Sequence, residues 1–564
     1  MDNKQWWWWL GSAVLVYLLG VHVDIMDIDA SQYAAMSREM MQSGSYLQVY
    51  EQGHDYLDKP PLVFWLCSVS MKIFGVNNFA YKLPSILFAI LAVFSTYRFA
   101  RLYYNRTIAQ LSALVLATSQ SFFLITNDCR TDTILIGCVA FTFWHLAAAF
   151  LENKWQHFLF GFIGIGVGML AKGPVALLLP AMAFTIHFLF KKEYKNFLRL
   201  EYLWGLVVIG VILFPMCYGL YTQFDLHPEK VIGGNTGTSG LHFFFWVQSF
   251  GRITGENTWR NDVYFTYLMQ TMAWSLLPWT LMFIAGYLGA IFDLFKEKIK
   301  LYSIDNQEFI TLGGCTLGYI SMATSKYQLP HYVFVIYPLA AVLAARFMYD
   351  LLFENKFGLG GKILRGVQWF IIAALWAIPY LITRFVFPND GMVKLFGLIF
   401  IGITATIFII GAVQKQDIVK SSIYTVLTIN VFASTFFYPQ LLGYQEGAEI
   451  GKRIHREKVP ENQFFTFQYD ASSSLHFYAQ RIVKRKDKVE EINFGDVFLT
   501  GEKGMQTLQD FGFDLDYTET GNTFSITNLT PQFLNEETRQ EVVGQYFLVR
   551  VKGLLEKEEE EQTE

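Results

Sequence analysis

Hydrophobic residues in this chain are gathered into long runs, and polar residues fall between the runs. Apolar stretches of roughly 18 residues or more, or shorter ones bounded by charge, predict membrane-spanning helices. We predict about thirteen spans. They lie near residues 6–23, 83–104, 107–126, 133–151, 157–171, 174–190, 203–222, 264–292, 309–324, 331–349, 368–387, 392–413 and 420–437. The predicted fold class is therefore a polytopic α-helical membrane protein.

The loops between these spans differ in charge. If the amino terminus lies inside, Lys and Arg concentrate in alternate loops, which is the positive-inside pattern. The same register assigns the following segments to the outer face: 24–82, 127–132, 172–173, 223–263, 325–330 and the chain after about 438. Most of the polar residues that suggest chemistry fall on that face.

The composition excludes several other classes of protein. The chain is 53% hydrophobic and only 16% charged, which is too apolar for an ordinary soluble enzyme. Its net charge of −4 contains no basic excess, so we expect no nucleic-acid partner. The five cysteines lie in or beside apolar segments without CxxC spacing, which predicts neither a disulfide framework nor a zinc motif.

After about residue 440 the composition becomes that of a soluble domain. The segments QFFTFQYD, DVFLTG and FLVRVKG have strand character, and EKGMQTLQDFG has helix character. We predict a membrane domain over 1–438, a small α/β or α+β domain over 439–555, and a solvated acidic tail over 556–564. We find no catalytic triad, metal cluster or phosphate loop in the small domain.

The first predicted outer loop, 24–82, is the first polar stretch after a hydrophobic opening. Asp29 and Tyr33 are four residues apart and would share one helix face. Asp29 has a second interpretation as a helix N-cap, with Gln32 completing a capping box. The apolar piece after Pro61, LVFWLCSVSMKIFG, is too short to span and is predicted to lie at the membrane surface.

Two more outer turns carry charge. In NDCRTDT, residues 127–133, Arg130 and Asp132 crowd a short turn, although Asp132 also suits a helix cap. In AKGP, Lys172 lies at a tight turn, where a lone lysine is often an interfacial snorkelling residue. Carboxylates from two separate loops on one face are what a transfer site needs.

The remaining outer segments are of two kinds. The loop 223–263 is glycine-rich and then aromatic and cationic, so it either orders over a substrate or is a solvated connection. The turn SKYQLPHY presents Lys326 and His331.

The glycines at 161, 164, 166 and 168 lie inside an apolar run without a preceding strand, which predicts close helix packing and not dinucleotide binding.

Five motifs together resemble the membrane glycosyltransferases of the GT-C class, in particular the bacterial lipid A aminoarabinose transferases and, more distantly, the protein O-mannosyltransferases. They are the acidic residue followed by tyrosine at Asp29 and Tyr33, LDKPPLVFWL at 57–66, RTDTIL at 130–135, LAKGPVALLLP at 170–180, and SKYQLPHYVFVIYP at 325–338. Their order agrees with such enzymes over roughly the first 440 residues.

The resemblance implies a polyprenyl-phosphate sugar donor, based on undecaprenyl phosphate in a bacterium. The acceptor would be lipid A, a glycan or a protein, met at the periplasmic side of the inner membrane. Asp29 and Asp132 match the catalytic aspartates. The residues implied to bind the donor phosphate are Lys59, Lys172, Arg252 and Tyr332. The residues expected to bind substrate elsewhere are Tyr33, Asp58, Arg130, Lys326 and His331.

The sequence leaves open whether the site binds a divalent metal ion. The histidine that the resemblance leads us to expect in the fourth outer loop is replaced around Gln248 and Ser249, so a nitrogen ligand would be missing. With Asp29 as general base and no covalent nucleophile, we expect inversion at the anomeric carbon. The competing function is a transporter or flippase of lipid-linked sugars, but that class often shows internal repeats and midplane charges, which we do not find.

Overall fold

The computed structural model describes residues 3–232, 235–248, 251–254, 261, 263–295, 308–354, 356–388, 402 and 418–555, without the side chains of residues 252, 253 and 295. Helices dominate the part that precedes residue 443. They are α1 (Asn3–Leu19), α2 (Asp29–Ser43), α3 (Leu62–Phe74), α4 (Asn78–Tyr103), α5 (Arg106–Ala117), α6 (Gln120–Asn127), α7 (Thr131–Glu152), α8 (Trp155–Lys172), α9 (Val175–Lys191), α10 (Glu201–Leu220), α11 (Gly240–His242), α12 (Gly251–Thr254), α13 (Tyr267–Ser275), α14 (Thr280–Phe295), α15 (Ile310–Ala323), α16 (Tyr337–Leu352), α17 (Gly358–Leu381), α18 (Ile418–Phe432) and α19 (Tyr438–Leu442).

Among the described residues, six helices are long and apolar enough to cross a membrane. They are Asn78–Tyr103, Thr131–Glu152, Glu201–Asp225, Pro330–Leu352, Gly358–Val386 and Ile418–Leu442. The bent pair α5 and α6 makes a seventh if it is counted as one span. The span predicted near 392–413 lies outside the described residues. The larger number of about thirteen spans therefore stays a prediction.

Two predicted spans are broken, and this corrects the sequence analysis. The run at 107–126 forms α5 and α6, which meet at an angle of 49°. The run at 264–292 forms α13 and α14, with Pro278 in the gap between them. Proline has no backbone N–H to continue a helix. Hydropathy alone could not reveal either break, because the residues at the breaks are mostly apolar or small.

The two breaks face each other. The backbone N–H of Gln120, which begins α6, donates to the carbonyl of Leu277 at 2.9 Å. The indole N–H of Trp279 donates to the Thr118 hydroxyl, also at 2.9 Å. Each break thus provides a hydrogen-bond partner for polar groups at the other break. Buried polar groups need such partners in an apolar environment.

The glycines of α8 pack against neighbouring helices, as predicted. A side chain at Gly161 would overlap Leu146 of α7, and a Cβ at Gly166 would lie 2.9 Å from Ile212 of α10. Small residues allow helix backbones to approach this closely.

Between α1 and α4 the chain forms a compact loop region, the first outer loop of the sequence prediction; the side of the membrane on which it lies stays a prediction. Helix α2 is followed by a two-residue hairpin, β1 (Tyr50–Glu51) and β2 (His54–Asp55), and then by α3. Helix α3 has 13 residues, so it is shorter than the roughly 20 that a span needs. That agrees with the prediction of a short helix; its position at a membrane surface stays a prediction.

The chain beyond residue 443 combines helices with a five-stranded sheet. Its helices are α20 (Glu446–Arg456), α21 (Ser473–Tyr478), α22 (Glu502–Asp510), α23 (Pro531–Leu534) and α24 (Glu536–Arg539). A second two-residue hairpin, β3 (Val231–Ile232) and β4 (Asn235–Thr236), lies earlier, between α10 and α11. The strands of the sheet are β5 (Phe464–Phe467), β6 (Lys484–Lys486), β7 (Val497–Gly501), β8 (Phe513–Thr523) and β9 (Gly544–Leu554).

The sheet is mixed, with spatial order β6-β5-β7-β9-β8. β5 runs parallel to β6 and β7, and β9 runs antiparallel to β7 and β8. The edge strand β6 has the sequence Lys-Arg-Lys, and charge on an edge discourages pairing with another sheet. The strand and helix character predicted for QFFTFQYD, DVFLTG, FLVRVKG and EKGMQTLQDFG agrees with β5, β7, β9 and α22.

Candidate active site

Asp29 is the first residue of α2 and does not cap it. The N-cap position is Ile28, without a side-chain capping bond, and Gln32 donates instead to Glu51 at 2.7 Å. The Asp29 carboxylate forms an ion pair with Arg130 through Oδ2. No hydrogen bond to Asp29 Oδ1 occurs within the described part of the chain. With its side chain 30% exposed, Asp29 can therefore present one oxygen to a ligand.

Arg130 joins the first two outer loops. Its Nη1 contacts Asp29, and its Nε donates to Asp128 at 2.8 Å. Burial lowers the pKa of Arg130, but Asp128 and Asp29 raise it more, so the net shift is upward and the guanidinium stays charged. A planar guanidinium can hold two carboxylates in fixed directions. One arginine thus joins a carboxylate of the 24–82 loop to a carboxylate of the 127–132 turn.

Tyr33 lies under Asp29 on the same helix. It is 2% exposed, and its ring meets Phe64 of α3 edge to face at 5.7 Å between centroids. Burial raises the pKa of Tyr33 well above its usual range, and Tyr56, Asp29 and Asp58 raise it further. Tyr33 therefore remains protonated and forms part of the floor beneath the carboxylate.

Asp132 and Lys172 form a second ion pair at the start of α7 and the end of α8. Asp132 is 3% exposed, and Lys172 contacts its Oδ1. His331 Nε2 lies 3.6 Å from Asp132 Oδ2, and the Lys172 ammonium lies 4.1 Å from the centre of the Tyr332 ring. Neither alternative interpretation fits this geometry, since Asp132 is bound by a side chain and Lys172 points to the protein and not to a membrane surface.

Lys59 belongs to a third group. Its Nζ contacts Asp58, and no other hydrogen bond of Lys59 occurs in the described structure. An ammonium has three N–H groups, so two remain for a ligand. Gln248 donates from Nε2 to the Asp58 carbonyl at 2.9 Å and also to Asp58 Oδ1. The loop after α11 therefore reaches the first outer loop.

These groups form one electrostatic cluster. His331 lies within range of the charges of Asp132, Lys172, Arg130 and Lys59. Tyr33 in turn lies within range of Asp29, Asp58 and Arg130. Side chains from four separate parts of the sequence thus face a common region.

Two predicted residues are not brought into this cluster by the described contacts. Lys326 is exposed, and its Nζ lies 3.4 Å from the carbonyl of Thr254. The side chain of Arg252 lies outside the described residues, so its predicted role stays a prediction.

A small, largely apolar cleft of about 20 Å³ is lined in part by Lys59. Two segments form it, one from the first outer loop and one from the end of α10 and the loop after it. Its lining residues are Leu47, Val49, Tyr56, Leu57, Lys59, Pro60, Pro61, Met216, Leu220, Gln223 and Phe244. Gln223 joins the walls, because its amide exchanges hydrogen bonds of 3.1 and 2.9 Å with the backbone of Val49. Lys59 is the one charged residue among these lining residues.

The C-terminal part holds the segment just before Asp29. Gln445 accepts from the Asp27 N–H at 2.9 Å and donates to the Ile25 carbonyl at 2.8 Å. Ser474 donates from its hydroxyl to Asp27 at 3.1 Å. Burial raises the pKa of Asp27 to about 6, and Glu446 raises it as well, while hydrogen bonds from Ser31 and Ser474 act in the opposite direction. The sequence analysis missed these contacts, because no local pattern links residues more than 400 positions apart.

The residues present do not fit a nitrogen-ligated metal ion. Within the described residues, no group of three or more His, Cys, Asp or Glu side chains could hold a metal. The resemblance implies a histidine around Gln248 and Ser249. Of these two, the structure describes Gln248, whose amide nitrogen is occupied as a donor to Asp58. An amide N–H₂ offers no lone pair to a metal.

The known proteins that this chain is similar to agree with the family that the motifs resemble. Residues 58–218 match the family model described as dolichyl-phosphate-mannose-protein mannosyltransferase. An uncharacterised protein of Aquifex aeolicus is 24% identical over 81% of this chain and 83% of its own length. The undecaprenyl phosphate-alpha-4-amino-4-deoxy-L-arabinose arabinosyl transferase 2 of Proteus mirabilis is 24% identical over 66% of this chain and 64% of its own length, just under two thirds.

The structural comparison supplies the fold. The crystal structure of ArnT from Cupriavidus metallidurans bound to undecaprenyl phosphate has a TM-score of 0.72 and 15% identity, and the match covers 99% of this chain and 100% of that one. This chain resembles the GT-C membrane glycosyltransferases. The recognition made from the sequence is thereby confirmed, and the family match with the named relatives indicates an enzyme of the glycosyltransferase class that uses a lipid-phosphate sugar.

Proposed function

We propose that the protein transfers a sugar from a polyprenyl phosphate, such as undecaprenyl phosphate, to lipid A, a glycan or a protein at the periplasmic face of the bacterial inner membrane. The observation that carries this is the partly exposed carboxylate of Asp29 in one cluster with Lys59, whose ammonium has N–H groups that Asp58 does not use. The phosphate would meet the N–H groups of Lys59 that Asp58 does not use.

In the transfer step, the bond between the anomeric carbon and the donor phosphate oxygen breaks, and a bond to the acceptor oxygen forms. Asp29 takes the acceptor proton through the oxygen that Arg130 does not hold. Negative charge grows on the departing polyprenyl phosphate, and Lys59 stabilises it. Such stabilisation is stronger in a site shielded from water than in bulk solvent. Because one base acts and no covalent intermediate forms, the anomeric configuration inverts.

Asp132 has a different part in this scheme from the one expected from the sequence. It is buried and bound to Lys172, so it holds that lysine and His331 in place instead of contacting the acceptor. Lys172 then contributes positive potential to the phosphate region, with the Tyr332 ring against it.

The test uses the purified full chain in lipid nanodiscs with a set of synthetic polyprenyl-phosphate sugars and acceptor extracts. We expect release of polyprenyl phosphate, dependence on acceptor, and a product of inverted anomeric configuration. Movement of the donor lipid across a vesicle membrane without phosphate release would instead identify a flippase. A product that retains configuration would contradict the role of Asp29 as a base.

A further inference from the structure

Gln248 can fix the position of the Lys59 side chain through Asp58, without contacting Lys59 itself. Its amide donates to two oxygens of Asp58, the backbone carbonyl and Oδ1. The other carboxylate oxygen, Oδ2, contacts the Lys59 ammonium. Asp58 therefore lies between an amide donor on one side and an ammonium on the other.

The orientation of the Gln248 amide follows from its partners. Both groups that it meets on Asp58 are acceptors, so only the N–H₂ end can face them, and a rotated amide would set oxygen against oxygen. The contact joins residues 190 positions apart. It also fixes the backbone of Asp58, the residue immediately before Lys59.

Lys59 depends on such support. A lysine side chain is long and flexible, and its ammonium is a point charge without directional preference of its own. Lys59 is 20% exposed and Asp58 is 32% exposed, so an ion pair between them alone would be weak. Gln248 adds one hydrogen bond to the Asp58 carboxylate and one to the Asp58 backbone carbonyl, so the carboxylate has one favoured position and gives the ammonium one as well.

We propose that Gln248 is a positioning residue, which fixes Lys59 through Asp58 and takes the place of the metal ion that the resemblance leaves open. This inference rests on the proposed function, because it assigns Lys59 to the phosphate of a polyprenyl-phosphate donor. It predicts that phosphate recognition at this site needs the Gln248 amide and needs no metal.

The experiment measures binding of two lipids to the full chain in nanodiscs: undecaprenyl phosphate, and undecaprenol, which has the same chain without the phosphate. For wild type we expect tighter binding of the phosphate. Gln248→Ala should weaken binding of undecaprenyl phosphate about tenfold, the worth of one charge-assisted hydrogen bond, and leave undecaprenol unchanged. Gln248→Glu has the same size but no donor, and it should weaken phosphate binding at least as much.

Two comparisons separate positioning from loss of structure. Gln223→Ala removes the other glutamine that joins the same loops, and it should weaken both lipids equally, because it lines the cleft and does not contact Asp58. In a Lys59→Ala background, Gln248→Ala should have no further effect, since a residue that acts through Lys59 is silent without it. Chelation of metal from wild type should leave both affinities unchanged.

The outcomes are distinguishable. If wild type binds undecaprenyl phosphate no better than undecaprenol, the proposed function fails, and this inference fails with it. If wild type prefers the phosphate but Gln248→Glu binds it normally, or Gln248→Ala loses both lipids alike, only the inference is overturned. Loss of phosphate binding on chelation would likewise reject the metal-free site.

Discussion

The two aspartates that the sequence presents as equals have opposite surroundings. Asp29 keeps 30% of its side chain exposed and is held through one oxygen, whereas the Asp132 side chain is 5% exposed and lies between Lys172 and His331. An exposed oxygen can exchange a proton with a ligand. A buried carboxylate bound to an ammonium instead fixes the position of that ammonium. We infer that Asp29 takes part in the reaction, whereas Asp132 stabilises the structure by holding Lys172.

The largest effect on activity should come from Asp29→Asn. The amide keeps the shape of the side chain but cannot accept the acceptor proton, so the transfer rate should fall by about 10²–10⁴-fold. Release of polyprenyl phosphate under saturating donor measures this. The variant should insert and unfold like wild type. A fully active Asp29→Asn would remove the difference between the two aspartates.

Asp132→Ala should act mainly on stability. It leaves the Lys172 ammonium in a buried site without its partner, and breaking a buried pair in this way costs about 3–5 kcal/mol. Thermal unfolding in detergent should show a clear drop in midpoint. The matched control is Asp58→Ala, whose ion pair is more exposed and should contribute less than about 1 kcal/mol.

A second variant sharpens the same prediction. Replacing both partners, as Asp132→Leu with Lys172→Met, removes the unpaired charge and should recover part of the lost stability. If Asp132→Ala unfolds at the wild-type temperature, the buried pair is not an architectural element.

Arg130→Lys should lower the transfer rate about tenfold and change stability little. A lysine keeps the charge, but it cannot hold Asp29 and Asp128 together in fixed directions as the guanidinium does. A small displacement of the base is costly when reacting groups must be aligned. The measurement is the turnover number at saturating donor. Lys59→Arg, a variant that also retains the charge at its position, is the comparison. A wild-type rate for Arg130→Lys would show that Asp29 needs no such support.

A pH-dependent effect on stability is expected at Asp27, a carboxylate whose hydrogen bonds come from the neutral groups of Ser31 and Ser474. Its pKa in the folded protein, about 6, lies above the usual value of 3.8. The folded state therefore binds the proton more tightly, so this group favours folding below about pH 4, and that contribution is lost as pH rises through 6.

Asp27→Asn should remove this dependence. At pH 7.5 the variant should be more stable than wild type, by at most about 2–3 kcal/mol, and near pH 4 the two should coincide. Unfolding midpoints measured across pH 4–8 test this. A variant that is less stable than wild type at pH 7.5 would show that the charged form of Asp27 is favoured in the folded protein.

The sequence predicted the pieces of the site better than their connections. Asp29, Asp58, Lys59, Arg130, Asp132 and Lys172 were all named from loops on one predicted face. The partners were not: Arg130 with Asp29, Lys172 with Asp132, and Gln248 with Asp58 are contacts across 101, 40 and 190 residues. A local pattern carries no information about such distances.

The same limit applied to the helices. Apolar runs were visible as composition, yet the breaks at Thr118 and Pro278 depend on each other, since each supplies hydrogen-bond partners to the other.

By itself, the sequence predicted a chain of apolar helices with charged loops and a C-terminal part that contains strands and helices, because hydrophobic periodicity and turn chemistry are properties of neighbouring residues. Only the tertiary structure decided which aspartate is exposed and which is buried. Burial and pairing depend on which helix ends pack together, so the same residue type is partly exposed at Asp29 and buried in an ion pair at Asp132.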